Sequence, residues 1–225
     1  MPSRNSIKVY VAGGFYHIYN RGVEKRIIFE DEQDYKVFLK NLKEILSPPD
    51  PSAANTIFSL RGQSYKAVKT PLKNYSKEID LCAYCLMPNH FHLLIKQMKR
   101  TSLEGFMRAL MTRYSMYFNK RYDRVGSLFQ GRYKAVLVEN EIYLLHLSKY
   151  IHLNPAEYAK DLVNSYSSYA DYLKLRQTRW IKPSFVLSFF NQQTLPDFRK
   201  FNSYRKFIES DKRDSSLVLG GLTLE

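Results

Sequence analysis

Met87-Pro88-Asn89-His90-Phe91-His92-Leu93-Leu94-Ile95 is the stretch of this chain whose residue types and spacing could do chemistry. Side chains alternate faces along a strand, so His90 and His92 point one way while Phe91, Leu93 and Ile95 point the other. Two imidazoles about 7 Å apart along the backbone can lean onto one metal ion. Neutral imidazole is the commonest protein ligand for a metal near pH 7. Two histidines hydrogen-bonded on a solvated face would fit the same spacing.

A second set lies on the segment Glu141 to Asn154, which Asn140 can cap and Pro155 must end, because the residue before a proline resists the α region. Spacings of four place His146, Tyr150 and Asn154 on one stripe beside the apolar Leu144, Leu147 and Ile151. Tyr150 can offer its phenolic oxygen to a phosphorus atom, and Asn154 its carbonyl oxygen to a hard cation. An amphipathic helix whose tyrosine only packs satisfies the same pattern. His152 falls on another face. A rival metal site, Cys82 and Cys85 with His90 and His92, has the wrong spacing for zinc. Cysteines three apart on a strand face opposite sides, and the single residue between the histidines is too short a gap, so the thiols read as buried packing.

The elements that must position these groups follow from periodicity. Phe15 to Tyr19 reads as a strand ended by Asn20-Arg21-Gly22. Asp31 can cap a helix carrying Tyr35, Phe38, Leu39, Leu42 and Leu46 at helical spacing, stopped at Pro48-Pro49. Residues 47–77 show no sustained period and are expected to be a long loop or insertion. Ile79 to Met87 and His90 to Gln97 read as two strands of a hairpin around Pro88-Asn89. Thr101-Ser102-Leu103-Glu104 fits a capping box before the stripe Leu103, Phe106, Met107, Leu110, Tyr114, Tyr117 and Phe118. Tyr133 to Val138 alternates like a strand. The order β, α, ββ, α, β, α predicts an α+β fold, an antiparallel sheet covered by helices. The expected organisation is a core over 1–156 and a basic, aromatic-rich helical accessory segment over 157–225, with short helices near Tyr166–Leu175 and Phe198–Ser210.

Composition narrows the function. Among 225 residues, 35 lysines and arginines face 21 acidic residues, a formal charge of +14. Eighteen tyrosines and fourteen phenylalanines accompany that charge. Cations for phosphates beside rings for unpaired bases suit a single-strand nucleic-acid binder. No run of about 18 apolar residues is present, which argues against a transmembrane helix, and the start lacks the apolar stretch of a secretory signal. With only two cysteines, a disulfide scaffold is excluded and a reducing, cytoplasmic setting is expected.

The His90-Phe-His92 strand, the opening Phe-Tyr-His-Ile-Tyr-Asn-Arg21-Gly22 and the later Tyr150-Ile-His-Leu-Asn154-Pro155 together resemble HUH-type single-tyrosine transposases. The last motif is most similar to the REP-associated tyrosine transposase branch, and the resemblance runs from about residue 11 to 173. It implies a ferredoxin-like HUH endonuclease core in which His90 and His92 bind a divalent metal, Mg²⁺ or Mn²⁺. It also implies Tyr150 as the nucleophile and Asn154 as an amide-type third ligand. The implied activity is nicking and strand transfer on single-stranded or hairpin DNA through a 5′-phosphotyrosine. A monomer and a homodimer are both compatible with it. A non-cleaving single-strand binding protein on the same fold is the alternative. Arg21, Lys25, Arg26, Arg124, Arg132 and Lys134 are the expected DNA contacts, since they flank the site and interleave with rings.

Overall fold

The computed structural model describes residues 10–49, 57–60, 63–66, 73–192 and 195–210. In chain order its elements are β1 (Phe15–Arg21), α1 (Glu32–Leu46), β2 (Ile57–Leu60), β3 (Gln63–Lys66), β4 (Ile79–Met87), β5 (His90–Gln97) and α2 (Ser102–Arg121). They are followed by β6 (Lys134–Leu137), α3 (Glu141–Leu153), α4 (Tyr169–Tyr172), α5 (Ser184–Gln192) and α6 (Tyr204–Glu209). Four strands make one antiparallel sheet in the order β4-β5-β1-β6, and helices cover it, the expected α+β arrangement.

Strand alternation divides the apolar residues between two cores. On one face Tyr16, Ile18, Phe91, Leu93 and Ile95 pack with Phe38 and Leu42 of α1 and with Phe106, Leu110 and Tyr114 of α2. On the other, Ala83, Cys85, Met87 and Leu94 pack with Leu144, Leu147 and Ile151 of α3 and with the aromatic side chains of α4, α5 and α6. The histidine face of β5 is this second one. The site is therefore built between the sheet and α3.

Local signals set the starts of α1 and α3. The Asp31 carboxylate accepts from the Gln33 and Asp34 amides, and the Asn140 side chain accepts from the Tyr143 amide. The expected capping box does not form: Thr101 is helical and its side chain caps nothing. Instead the Leu103 amide donates to Gln97 Oε1 at 3.2 Å, and the Ser102 hydroxyl donates to Glu78 at 2.8 Å. A side chain at the end of β5 thus does the capping, a long-range solution that the local motif does not reveal.

Two other expectations change. The stretch 47–77 holds a short antiparallel hairpin, with Ile57 opposite Lys66 and Leu60 opposite Gln63. Four-residue strands are too short for a period to show. The premise that Cys82 and Cys85 face opposite sides also fails. A register shift between Leu81 and Ala83 brings both thiols into the α3-side core, 2% and 0% exposed. Burial raises both thiol pKa values, that of Cys82 to about 12, so they remain protonated packing groups.

The C-terminal part closes the structure around α3. Residues 166–182 run along the outer strand β4: Leu86 N–H donates to Tyr166 O, Ser168 N–H to Tyr84 O and Lys182 N–H to Leu81 O. That contact covers a sheet edge that would otherwise be open to pairing. α5 is an element that the sequence pattern did not predict. The buried Lys149 ammonium donates to the carbonyls of Phe207 and Ser210, at 2.8 and 3.0 Å, and so caps the end of α6. His152 is also buried, with Nδ1 2.7 Å from Tyr204 Oη and Nε2 2.7 Å from Ser168 Oγ. The expected segment 157–225 thus contributes through residue 210, and 211–225 lie outside the described residues.

Candidate active site

Antiparallel pairing of β5 with β1 places Arg21 opposite His90, Tyr19 opposite His92 and His17 opposite Leu94. All six side chains belong to the face under α3. The His90 and His92 rings are perpendicular, with centroids 5.0 Å apart. The ring of Tyr150, from α3, stands edge-on to His92 at 5.4 Å and to His17 at 6.1 Å. Sequence spacing had paired the first two imidazoles. The third, His17, is 1% exposed, and its Nε2 lies 2.9 Å from His92 Nδ1. Its signal was present in the His17-Ile18-Tyr19 alternation, which repeats the period of His90-Phe91-His92.

The imidazoles are held neutral. Burial pushes His17 down to about 3. It pushes His90 down to about 4, helped by the positive charge of Arg21. His92 lies well below the usual histidine range, through burial and then through its two histidine neighbours. Neutral imidazole has one lone pair to give. Asn89 Oδ1 accepts from His90 Nδ1–H at 2.6 Å, which leaves the lone pair of His90 on Nε2. The Nε2 of His92 is buried with no hydrogen-bond partner among the described residues.

His90 Nε2 fits a divalent ion as a donor, and His92 Nε2 does so in the tautomer that leaves it unprotonated. Among the described residues no three His, Cys, Asp or Glu side chains are arranged to hold one. A third ligand would therefore be of another type, and a carboxamide such as Asn154 is one. Asn154 caps α3 with its side-chain N–H donating to the Tyr150 carbonyl at 2.9 Å. That bond uses the amide nitrogen, not the oxygen a hard cation would take. Among the described residues, no hydrogen bond joins Asn154 to His90 or His92.

The basic residues divide. Arg21 abuts the site and is tied by Nε to Gln130 Oε1 at 2.6 Å. Lys134 lies in the same cross-sheet row as Tyr19 and His92. Lys25 and Arg132 are exposed, Lys25 in the turn whose carbonyl accepts from the Asn89 side chain. Arg26 is partly buried, and its Nε has no hydrogen-bond partner among the described residues. Arg124 is engaged near the end of α2, bonded to Asn119 and placed over the Phe118 ring. His146, placed by spacing on the stripe of Tyr150, has its ring against Phe198 and Phe207, at 5.6 and 5.5 Å. It belongs to the C-terminal aromatic core, so α3 splits the predicted stripe between two environments.

Residues 58–154 match a protein-family model described as "Transposase IS200 like". The match covers less than half of the chain. This segment spans β4, β5, α2, β6 and α3, and so includes His90, His92, Tyr150 and Asn154, while β1 with His17 precedes it. The fold agrees. A solved REP-associated tyrosine transposase bound to a REP hairpin superposes with a TM-score of 0.51 at 10% identity, covering 80% of this chain and 98% of that one. A crystal structure of a candidate transposase from Deinococcus radiodurans R1 gives a TM-score of 0.37 at 14% identity, over 67% of this chain and 95% of that one. No curated protein matches the sequence. Among the described residues, no helix is long and apolar enough to cross a membrane.

Proposed function

We propose that the protein is a metal-dependent single-strand DNA endonuclease and strand transferase that acts through a 5′-phosphotyrosine at Tyr150. The observation that carries this reading is the edge-on approach of Tyr150 to His92, which puts a phenol and two neutral imidazoles on one side of the sheet. A divalent ion, Mg²⁺ or Mn²⁺, held by His90 and His92 with Asn154 as the amide-type ligand, would polarise the scissile phosphate as a Lewis acid. An amide and phosphate oxygens in the donor set favour those hard cations over zinc.

Tyr150 Oη attacks the phosphorus; the Oη–P bond forms and the P–O3′ bond breaks. The phenolic proton must leave during attack, because an ordinary tyrosine titrates near 10, and the departing 3′ oxygen ends as a hydroxyl. A 3′-OH on another strand can then attack the phosphotyrosine and release Tyr150, so the ester linkage passes between strands without an external energy source. Arg21 and Lys134, beside the imidazoles, would hold the strand by its phosphates, with Lys25, Arg26, Arg124 and Arg132 extending the basic surface. Hairpin DNA is the substrate class favoured by the fold relative solved with a REP hairpin.

Incubation with an end-labelled hairpin oligonucleotide and Mn²⁺ tests the reading. A denaturant-resistant protein–DNA adduct that vanishes in Tyr150→Phe supports it. Binding without adduct supports a non-cleaving single-strand binding protein. Cleavage that survives Tyr150→Phe, or that needs a ribose 2′-OH, points to a nuclease of another kind.

A further inference from the structure

Both imidazoles of the His90-Phe91-His92 strand have Nδ1 engaged, and by different partners. At His90 the partner is the Asn89 carbonyl oxygen, 2.6 Å away, which can only accept. At His92 it is another imidazole, His17 Nε2, 2.9 Å away with the rings nearly parallel at 20°. One proton lies between those two nitrogens, and its owner decides what His92 can do. If His17 Nε2 holds it, His92 carries its own proton on Nε2 and has no lone pair there. If His92 Nδ1 holds it, Nε2 is a bare donor, like Nε2 of His90.

We propose that His17 is a positioning residue that accepts from His92 Nδ1–H and so fixes His92 in the tautomer whose Nε2 faces a divalent cation. The inference deepens the proposed function and rests on its metal site. Three observations support it. His92 Nε2 is buried with no hydrogen-bond partner among the described residues, and so is His17 Nδ1, the atom that carries the His17 proton in this tautomer. The parallel with Asn89 gives both imidazoles the same design, Nδ1 tied and Nε2 presented. His17 is rigidly held, as a 1%-exposed residue of β1, the strand that pairs with β5 on one side and β6 on the other. A hydrogen-bond acceptor behind a metal-binding imidazole fixes its orientation and makes it a better donor, and its loss typically weakens metal binding by about 10–100-fold.

The test compares His17→Phe, which keeps a ring without an acceptor, with His17→Gln, whose amide oxygen can accept from Nδ1. Two readouts are made on the full chain: Mn²⁺ affinity by electron paramagnetic resonance of the free ion, and the His92 tautomer from long-range ¹H–¹⁵N spectra without metal. Thermal melting confirms that each variant folds. The expected result is an Nδ1–H tautomer at His92 in the wild type and in H17Q. Mn²⁺ affinity should fall about 10–100-fold in H17F and recover largely in H17Q. An Nε2–H tautomer in the wild type overturns the proposal. So does unchanged affinity in H17F, or equal loss in both variants, which would make His17 a direct ligand or a purely structural residue. A wild-type protein that binds no Mn²⁺ at all defeats the metal site itself, an outcome distinct from wild-type binding that H17F retains.

Discussion

The Tyr150 ring meets the His92 ring edge-on, with centroids 5.4 Å apart and planes 83° to one another, although the two residues come from a helix and a strand far apart in sequence. Tyr150 is half-buried rather than sealed in the core. A nucleophile needs that compromise: enough packing to fix the ring, and enough exposure for a phosphate to reach the oxygen.

If His90 and His92 serve chemistry rather than folding, cutting and binding should separate. His90→Ala, at the half-buried end of the pair, should lower the cleavage rate by about 100-fold or more, as expected when a charge-stabilising centre is removed. Affinity for the hairpin oligonucleotide should change little. His92→Ala should behave alike, with some added loss of stability because that ring is fully buried. Gel-shift titration beside a cleavage time course measures both, and parallel loss of binding and cutting would make the pair structural.

Acid should destabilise the fold through His152. Burial, with help from the Arg176 charge, brings this imidazole down to about 3, whereas an unfolded histidine titrates near 6.5. Between those values the unfolded chain binds a proton here that the folded chain refuses. This contribution is therefore fully present above pH 6.5 and is lost as pH falls toward 3, by at most about 1.4 kcal/mol per unit. Urea melts at pH 7, 6, 5 and 4 should show a shallower decline in His152→Gln than in the wild type. Identical declines would mean that His152 is not buried neutral.

Gly22 is a test of space rather than of backbone angle. A Cβ there would sit 2.3 Å from the Arg26 carbonyl oxygen and 2.7 Å from Arg26 Cγ. Gly22→Ala should cost about 1–3 kcal/mol, the range for overpacking, and should displace the turn that carries Lys25 and supports Asn89. The expected readout is a lower melting temperature together with weaker DNA binding. A variant as stable as the wild type would show that the turn yields freely.

Binding should weaken steeply with salt, because displaced counterions dominate the affinity of a +14 protein for phosphates. Removing one exposed contact, by Lys25→Ala or Arg132→Ala, should reduce the slope of log K against log salt by about 0.7 on a single strand. The loss should be similar across DNA sequences. Fluorescence anisotropy between 50 and 200 mM salt, roughly the window in which such losses develop, gives the slope. An unchanged slope would place these two cations away from the DNA path.

The histidine pair was legible in the sequence because a strand has a fixed period of two, so neighbours at 90 and 92 share a face whatever the strand packs against. The Tyr150 helix was legible for a similarly local reason, Asn140 at its start and Pro155 at its end. What the sequence hid is long-range. The His17–His92 contact spans 75 positions and depends on the β1–β5 register, which no local pattern encodes. Gln97 capping α2 hid behind a more conventional motif, and the register shift that turns Cys82 toward Cys85 left no trace in spacing. His146 and Tyr150 share a helical stripe on paper, yet the C-terminal aromatics claim one and the sheet histidines the other.

The most direct measurement of the central claim is the identity of the residue that carries DNA. Wild-type protein should be allowed to react with a hairpin oligonucleotide in Mn²⁺, then digested with nuclease and protease, and the peptides sequenced by mass spectrometry. The expected product is a nucleotide 5′-phosphate esterified to Tyr150 and to no other tyrosine. A phosphonucleotide on a different residue, or cleaved DNA with no protein-bound nucleotide, would contradict it.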